Sequence, residues 1–563
     1  MKRSRIGRAI IAAMAALLAA CAADQPTPPP PPISVSLEPD AITVCTTQVV
    51  QFTATVRNST NGEVTWGLSG AGCSGPACGT ISTAGLYIAP EAVPDPGLVT
   101  VTATSLADNS KSAQASITVL PAINVWTWIS GSNIGNQIGA YGTKGVPAAS
   151  NVPGARIGAV SWTDPDGDLW LFGGSGCDIS GGQNVLNDLW KYVPTSNQWT
   201  WVSGSQTHAQ PGVYGIKGVP SPENVPGARA MAVSWIDPGG QLWLFGGTGR
   251  IADGSHGKLN DLWRFDPTTN EWTWIAGSGS LDQPGIYGTK GVPSPTNVPG
   301  GRYEAISWVD SSGKLWLFGG WGYDVNSDVG DLNDLWSFDP ATQAWTWVSG
   351  GNTKKMLGNY GTKGVSAPSN MPGARSEAVS WIDAQDRLWL FGGYGWSAVF
   401  TYIPSELNDL WRFDPTTLEW TWVSGSDTHG QAGVYGTKGT SSPSNVPGAR
   451  HWALSWADEN GLFWLYGGYG FFEASQWDGL LNDLWKYDPA TLEWTWVSGS
   501  SSDGQVGNYG TRGAVALTNI PGSRNSGVAW VDSQHRTWIL GGHGFFSATQ
   551  QDGLLNDLWR YDK

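Results

Sequence analysis

Hydrophobic and polar residues alternate in short runs along most of the chain, separated by turn residues, and no stretch has a convincing helical period. Runs such as Val49-Val50-Gln51-Phe52-Thr53-Ala54-Thr55-Val56 and Val99-Thr100-Val101-Thr102-Ala103-Thr104 place successive side chains on opposite faces, the period of half-buried strands. They predict a small β-sandwich over residues 33–120. From residue 124 the strands become Trp-rich and recur in sets of four. The first set reads Ala159-Val160-Ser161-Trp162, Leu169-Trp170-Leu171-Phe172, Asp188-Leu189-Trp190-Lys191-Tyr192 and Trp199-Thr200-Trp201-Val202.

The sets repeat with a period of 73 to 75 residues, marked by Gly-Gly pairs at 173, 246, 319, 392, 467 and 541. Leu-Asn-Asp-Leu-Trp and Trp-Thr-Trp each occur six times. The first Trp-Thr-Trp, at 126–128, has no Asn-Asp-Leu-Trp before it, and the last Asn-Asp-Leu-Trp, at 556–559, has no Trp-Thr-Trp after it. The N-terminal strand is therefore expected to complete the last sheet, which removes two exposed edges. The Gly-Gly pair, the spaced Trp and the strand order over 124–563 resemble kelch repeats. The resemblance implies an all-β chain whose main domain is a six-bladed β-propeller. The segments Gln51–Val56, Val64–Leu68, Gly79–Pro90 and Val99–Thr104 resemble bacterial Ig-like domains.

The N-terminus reads as an export address. Lys2, Arg3, Arg5 and Arg8 precede an apolar stretch from Ala9 to Ala20, short for a membrane span and suited to a signal peptide over residues 1–20. Leu18-Ala19-Ala20-Cys21 resembles a bacterial lipobox, which implies lipidation of Cys21. By family analogy, Ala22 after it favours the outer membrane. Pro-rich residues up to 32 then form an extended spacer. Cys73 and Cys78 bracket a Gly/Pro loop and are candidates for a small disulfide, while Cys45 and Cys177 are left over.

Composition narrows the function. A net charge of −15 argues against a nucleic-acid partner. Of 35 Trp, all but Trp66, Trp321, Trp396, Trp452 and Trp477 sit at six-fold repeated positions and read as packing between sheets. The repeated Asp of Asn-Asp-Leu-Trp is expected to satisfy local backbone donors.

Candidate chemistry lies where the repeats differ, on the face carrying the long loops. After each Gly-Gly, the last four repeats present aromatic rings: Trp321 and Tyr323, Tyr394 and Trp396, Tyr469 and Phe471, His543 and Phe545. An Arg recurs at the start of each first strand, Arg302, Arg375 and Arg450 among them, followed by variable pairs that include Tyr303-Glu304, Ser376-Glu377 and His451-Trp452. The aromatic rings either pack within their own loops or form a candidate platform for sugar rings or a protein partner. Being six-fold, these Arg read first as structural, and the kelch resemblance implies that such positions also serve to bind anions.

Two enzymatic comparisons follow from the resemblance. Galactose oxidase-like propellers need a copper site from two His, two Tyr and a crosslinked Cys; the six His here lack ligand spacing and Cys177 stands alone in the propeller. Sialic-acid mutarotases of the kelch type resemble this chain more, which implies proton transfer by Glu304, Glu377 and His451 with Arg302, Arg375 and Arg450 holding a carboxylate, although no catalytic motif matches residue by residue. Asp164, Asp166 and Asp168 suggest calcium, but the other repeats carry ordinary turns there. The expectation is an envelope-anchored, monomeric protein that binds a glycan or protein noncovalently and needs no metal or cofactor; the alternative is a sugar-active kelch enzyme.

Overall fold

The computed structural model describes residues 30–121, 123–399, 403–546 and 551–563. The signal segment and Cys21 lie outside the described residues. The described chain is all-β, with one short 3-10 turn at Gly75–Cys78. No helix among the described residues is long and apolar enough to cross a membrane.

The chain divides into two compact units, split at residues 121 and 122. In the first, strands Ala41–Cys45, Ser112–Leu120, Leu98–Ser105 and Val64–Ser69 form a four-stranded sheet in that order, its first pair parallel. Alternation along Leu98–Ser105 sends Val99, Val101 and Ala103 inward against Phe52, Tyr87, Ile117 and Val119. Cys73 and Cys78 form a disulfide with Cα atoms 5.2 Å apart. Cys45 and Cys177 are buried free thiols, so they do not pair.

The second unit is built from six repeated antiparallel sheets. In the first, Val160–Thr163, Leu169–Phe172, Leu189–Val193 and Gln198–Ser203 pair in chain order, with Trp162 opposite Trp170 and Tyr192 opposite Trp199. The sixth uses Val528–Val531, Thr537–Phe545 and Asp552–Asp562, and Asp552–Asp562 pairs on its far side with Val125–Ser130, Trp128 opposite Trp559. The cores lie between repeats. Trp162 and Trp170 of the first pack with Trp263, Phe265 and Trp272 of the second. Leu169 and Trp190 of the first also pack with Trp530 and Trp538 of the sixth. Indole N–H groups stitch neighbours together, Trp235 donating to the Trp316 carbonyl at 2.9 Å and Trp530 to the Trp170 carbonyl at 3.1 Å.

One buried network per repeat explains most of the recurring sequence. Arg302 donates through Nη1 and Nη2 to the two carboxylate oxygens of Asp334 at 2.7 and 2.8 Å, and also to the Gly300 and Gly319 carbonyls. Tyr287 Oη and Trp336 Nε1 donate to Asp334 Oδ2, each at 2.7 Å. The same pairing joins Arg375 to Asp409 and Arg450 to Asp483. The repeated Asp thus serves an Arg, a Tyr and a Trp side chain rather than local backbone donors, which corrects the sequence expectation. The Gly-Gly pairs take left-handed φ values, 66° and 91° at Gly319 and Gly320, where a side chain would strain the backbone. In the turn considered for calcium, Asp164 accepts from the Asp166 and Asp168 amides at 3.1 and 2.9 Å and from Trp170 Nε1 at 2.8 Å, an ordinary self-satisfied hairpin.

Candidate functional site

Two residues after each repeated Arg stands a residue with left-handed φ: Gly158, Met231, Glu304, Glu377, Trp452 and Ser526, at 53° to 63°. Their main chains form a ring of hydrogen bonds. Met231 N donates to Gly158 O, Glu304 N to Met231 O, Glu377 N to Glu304 O, Trp452 N to Glu377 O, Ser526 N to Trp452 O and Gly158 N to Ser526 O, at 2.7 to 3.1 Å. A cavity of about 220 Å³ opens at the ring, lined by residues of all six repeats. A second, of about 530 Å³, lies beside it against Met231, Lys258, Tyr303, Glu304, Glu377 and Trp452. Its size suits a small ligand.

Short strand pairings beside the ring set the neighbouring side chains in rows. Tyr303 pairs with Trp321 and Trp321 with Asp331. Ser376 pairs with Tyr394 and Tyr394 with Glu406. His451 pairs with Tyr469, and Tyr469 with Leu480. Residues two apart on a strand share a face, so the register fixes which side chains meet.

The electrostatics are one-sided. Trp452 Nε1 donates to Glu304 Oε1 at 3.1 Å. Burial and the neighbouring carboxyls of Glu304, Asp331 and Glu406 push Glu377 well above the usual carboxylate range, and burial raises Glu304 as well, so the pair shares a proton. Burial also lifts Asp331 to about 7, although Trp396 Nε1 and Ser376 Oγ donate to it at 3.1 and 3.3 Å. His451 lies between Glu377 and Glu406, its ring nitrogens 3.7 and 3.6 Å from their carboxyl oxygens. Burial pulls it down to about 4, so the ring is neutral. Tyr394 meets it edge-on at 5.7 Å, and Tyr469 lies tilted against it at 5.5 Å.

The structure thus gathers Tyr303, Glu304, Glu377, His451 and Trp452, with Tyr394, Tyr469 and half-buried Trp321 around them. Tyr323 lies under Lys258, whose Nζ is 5.4 Å from its ring. Phe471 and Phe545 lie beside loop glycines Gly430 and Gly504, and His543 stands 3.6 Å from Asp552. Two expectations are corrected. Trp396 is only 3% exposed and points its indole at Asp331, so it offers no open platform. Arg302, Arg375 and Arg450 are buried with their guanidinium groups committed to Asp334, Asp409 and Asp483, so none is free to hold an anionic ligand.

Sequence reasoning missed Asp331, Glu406 and Lys258. All three occupy the position just before Leu-Asn-Asp-Leu-Trp, where the repeats read Val185, Lys258, Asp331, Glu406, Leu480 and Leu554. That variability inside an otherwise fixed motif was the available signal. Among the described residues, no group of three His, Cys, Asp or Glu is placed to hold a metal ion.

Residues 289–511 match the KLHDC2/KLHL20/DRC7 Kelch-repeats domain and residues 238–276 the Kelch motif. N-acetylneuraminate epimerase 2 of Escherichia coli O6:H1 is 27% identical over 180 residues, covering 28% of this chain and 46% of that protein. Multiple epidermal growth factor-like domains protein 8 of Rattus norvegicus is 25% identical over 257 residues, covering 45% of this chain and 7% of that one. The chain therefore spans less than half the length of these curated relatives. The solved structure of YjhT aligns with TM-score 0.42 and 16% identity over 74% of this chain and 95% of its own. These matches identify kelch repeats within residues 238–511 of the all-β second unit.

Proposed function

We propose that this chain is an envelope-anchored carbohydrate-binding protein that holds its ligand in the cavity formed by Tyr303, Glu304, Glu377 and Trp452. The observation that carries this is the ring itself. Five of its six left-handed positions hold a residue other than glycine, at a cost on the order of 1 kcal/mol each. Gly158 stands at the same place in the first repeat. Paying that cost with Glu304, Glu377 and Trp452, which line both cavities, makes sense if those side chains serve a ligand. Aromatic faces beside carboxyl and imidazole groups suit a sugar, which offers an apolar ring face and hydroxyl groups.

In this reading the six sheets are the blades of a closed propeller, with Val125–Ser130 as the outer strand of the last. The hydrogen-bonded ring and the packing of the first repeat on the sixth support it. The first unit is read as an Ig-like stalk. The signal peptide, lipidation of Cys21, outer-membrane location, monomeric state and a role in adhesion or capture rest on the sequence expectations alone.

The test is a glycan array probed with the full chain and with Tyr303→Ala and Trp321→Ala variants. Binding that the variants lose supports the reading, and no binding to any glycan by the folded chain refutes it.

A sugar epimerase is the second reading, favoured by the shared proton of Glu304 and Glu377, which could move to and from a sugar oxygen. Exchange at an anomeric centre, followed by NMR and abolished in Glu377→Gln, would establish it.

A further inference from the structure

We infer that the ligand of this cavity presents a primary ammonium group, so that the sugar it takes is an amino sugar with a free amine. This rests on the carbohydrate reading above and narrows it. Glu304, Glu377, Asp331 and Glu406 converge on the third and fourth repeats, and Asp331 and Glu406 are only 1% and 6% exposed. Among the described residues, no Lys or Arg forms an ion pair with any of the four. The guanidinium groups of Arg302 and Arg375, on the same strands, are consumed by Asp334 and Asp409. Lys258, which lines the same cavity, is directed over the rings of Tyr303 and Tyr323 at 5.9 and 5.4 Å rather than into an ion pair. Buried carboxyls are ordinarily paired, and among the described residues the one basic side chain within ion-pair distance of any of the four is His451.

A separate observation points the same way. His451 is 7% exposed, and its Nδ1 has no hydrogen-bond partner although it faces the cluster beside Glu406. An orphaned buried polar atom costs roughly 1–3 kcal/mol; His451 is not on the cavity wall but lies against Glu377, which is, and a donor reaching past Glu377 would satisfy it. The ring is neutral, so it does not itself supply the missing positive charge. A proton shared by the raised Glu304 and Glu377 takes that place without ligand. An ammonium brings three donors and one positive charge and would displace this proton. The absence of a metal-holding donor set among the described residues favours an organic cation over a metal ion. An N-acetylated amine would bring a methyl group and no charge to the same place.

Calorimetry of the full chain with a glucosamine tetramer and with an N-acetylglucosamine tetramer tests this, run in two buffers of different ionisation enthalpy. The glucosamine tetramer is expected to bind at least tenfold tighter, releasing about one proton. Glu377→Gln, checked for folding by its Trp emission, should lose both the preference and the proton release; if it does not fold, the two-buffer comparison on the unaltered chain decides alone. Equal affinity for the two tetramers, preference for the acetylated one, or binding without proton release overturns the inference. If neutral glycans bind and Tyr303→Ala abolishes that binding, the carbohydrate reading survives while this one falls. If no glycan of any charge binds, both fall.

Discussion

The indole of Trp452 donates to Glu304 at 3.1 Å across 148 residues of sequence, joining the fifth repeat to the third within the hydrogen-bonded ring. Both residues are in the left-handed region, with φ of 53° and 57°. The contact shows what the ring does with its strained positions: side chains that a glycine could not supply reach over the opening and meet one another.

Stability and binding are therefore expected to oppose each other at these positions. Glu377 has φ of 63° and crowds Glu304. Glu377→Gly relieves the backbone and removes a buried carboxyl from beside Glu304. Stability should stay level or rise by up to about 1 kcal/mol, while glycan affinity falls at least tenfold. Chemical denaturation and calorimetry on the same variant check both halves. A loss of stability would mean that the carboxyl is there for the fold.

The Arg and Asp pairs behave in the opposite way. Asp334→Ala strands the buried guanidinium of Arg302 and removes the acceptor for Tyr287 and Trp336. Removing one partner of a buried pair costs about 3–5 kcal/mol, read as a lowered denaturation midpoint. The protein that remains folded should bind its ligand with unchanged affinity, because the pair does not face the cavity.

The repeats made the scaffold legible, because a residue that recurs six times at one place can be subtracted. Asp334 and its partner Arg302 both read as structural in this way, although the kelch resemblance also makes Arg302 a candidate for an anion. The two are 32 residues apart, and only the fold brings them to 2.7 Å. Glu304 and Glu377 stood out because their neighbours in the other repeats differ. Asp331 and Glu406 were hidden inside the most regular motif of the chain, where the eye follows Leu-Asn-Asp-Leu-Trp and passes over the residue before it. Trp396 misled for a physical reason: a non-repeated Trp reads as exposed, but its indole N–H has a buried carboxyl to satisfy.

Trp396 and Tyr303 should accordingly separate under mutation. Trp396→Ala empties a buried site and removes a donor from Asp331, at a cost of about 3–5 kcal/mol in stability. Tyr303→Ala removes a half-buried ring from the cavity wall, so it should leave stability within about 1 kcal/mol and weaken glycan binding at least tenfold. Trp477, 77% exposed, serves as the control, and its replacement by Ala should change neither quantity. Thermal melts and array titrations of the three variants give the comparison.

The pH dependence of stability tests the site's electrostatics without a ligand. Asp331 moves from 3.8 to about 7 on folding, so the folded chain holds a proton that the unfolded chain has released. Its contribution is complete below pH 3.8 and is lost as pH rises to about 7, by up to about 1.4 kcal/mol per pH unit. The raised Glu304 and Glu377 act in the same sense. His451 has the reverse sign: lowered from 6.5 to about 4, it destabilises the fold as pH falls through that range. The two effects oppose each other between about 4 and 6.5, so the total curve hides both. Subtracting the denaturation curve of Asp331→Asn from that of the unaltered chain should leave a difference that falls with rising pH and flattens near 7. The same subtraction with His451→Gln should leave one that rises from about 4 and flattens near 6.5. A difference independent of pH in either case would show that the group titrates alike in the folded and unfolded chain, and that burial does not govern it.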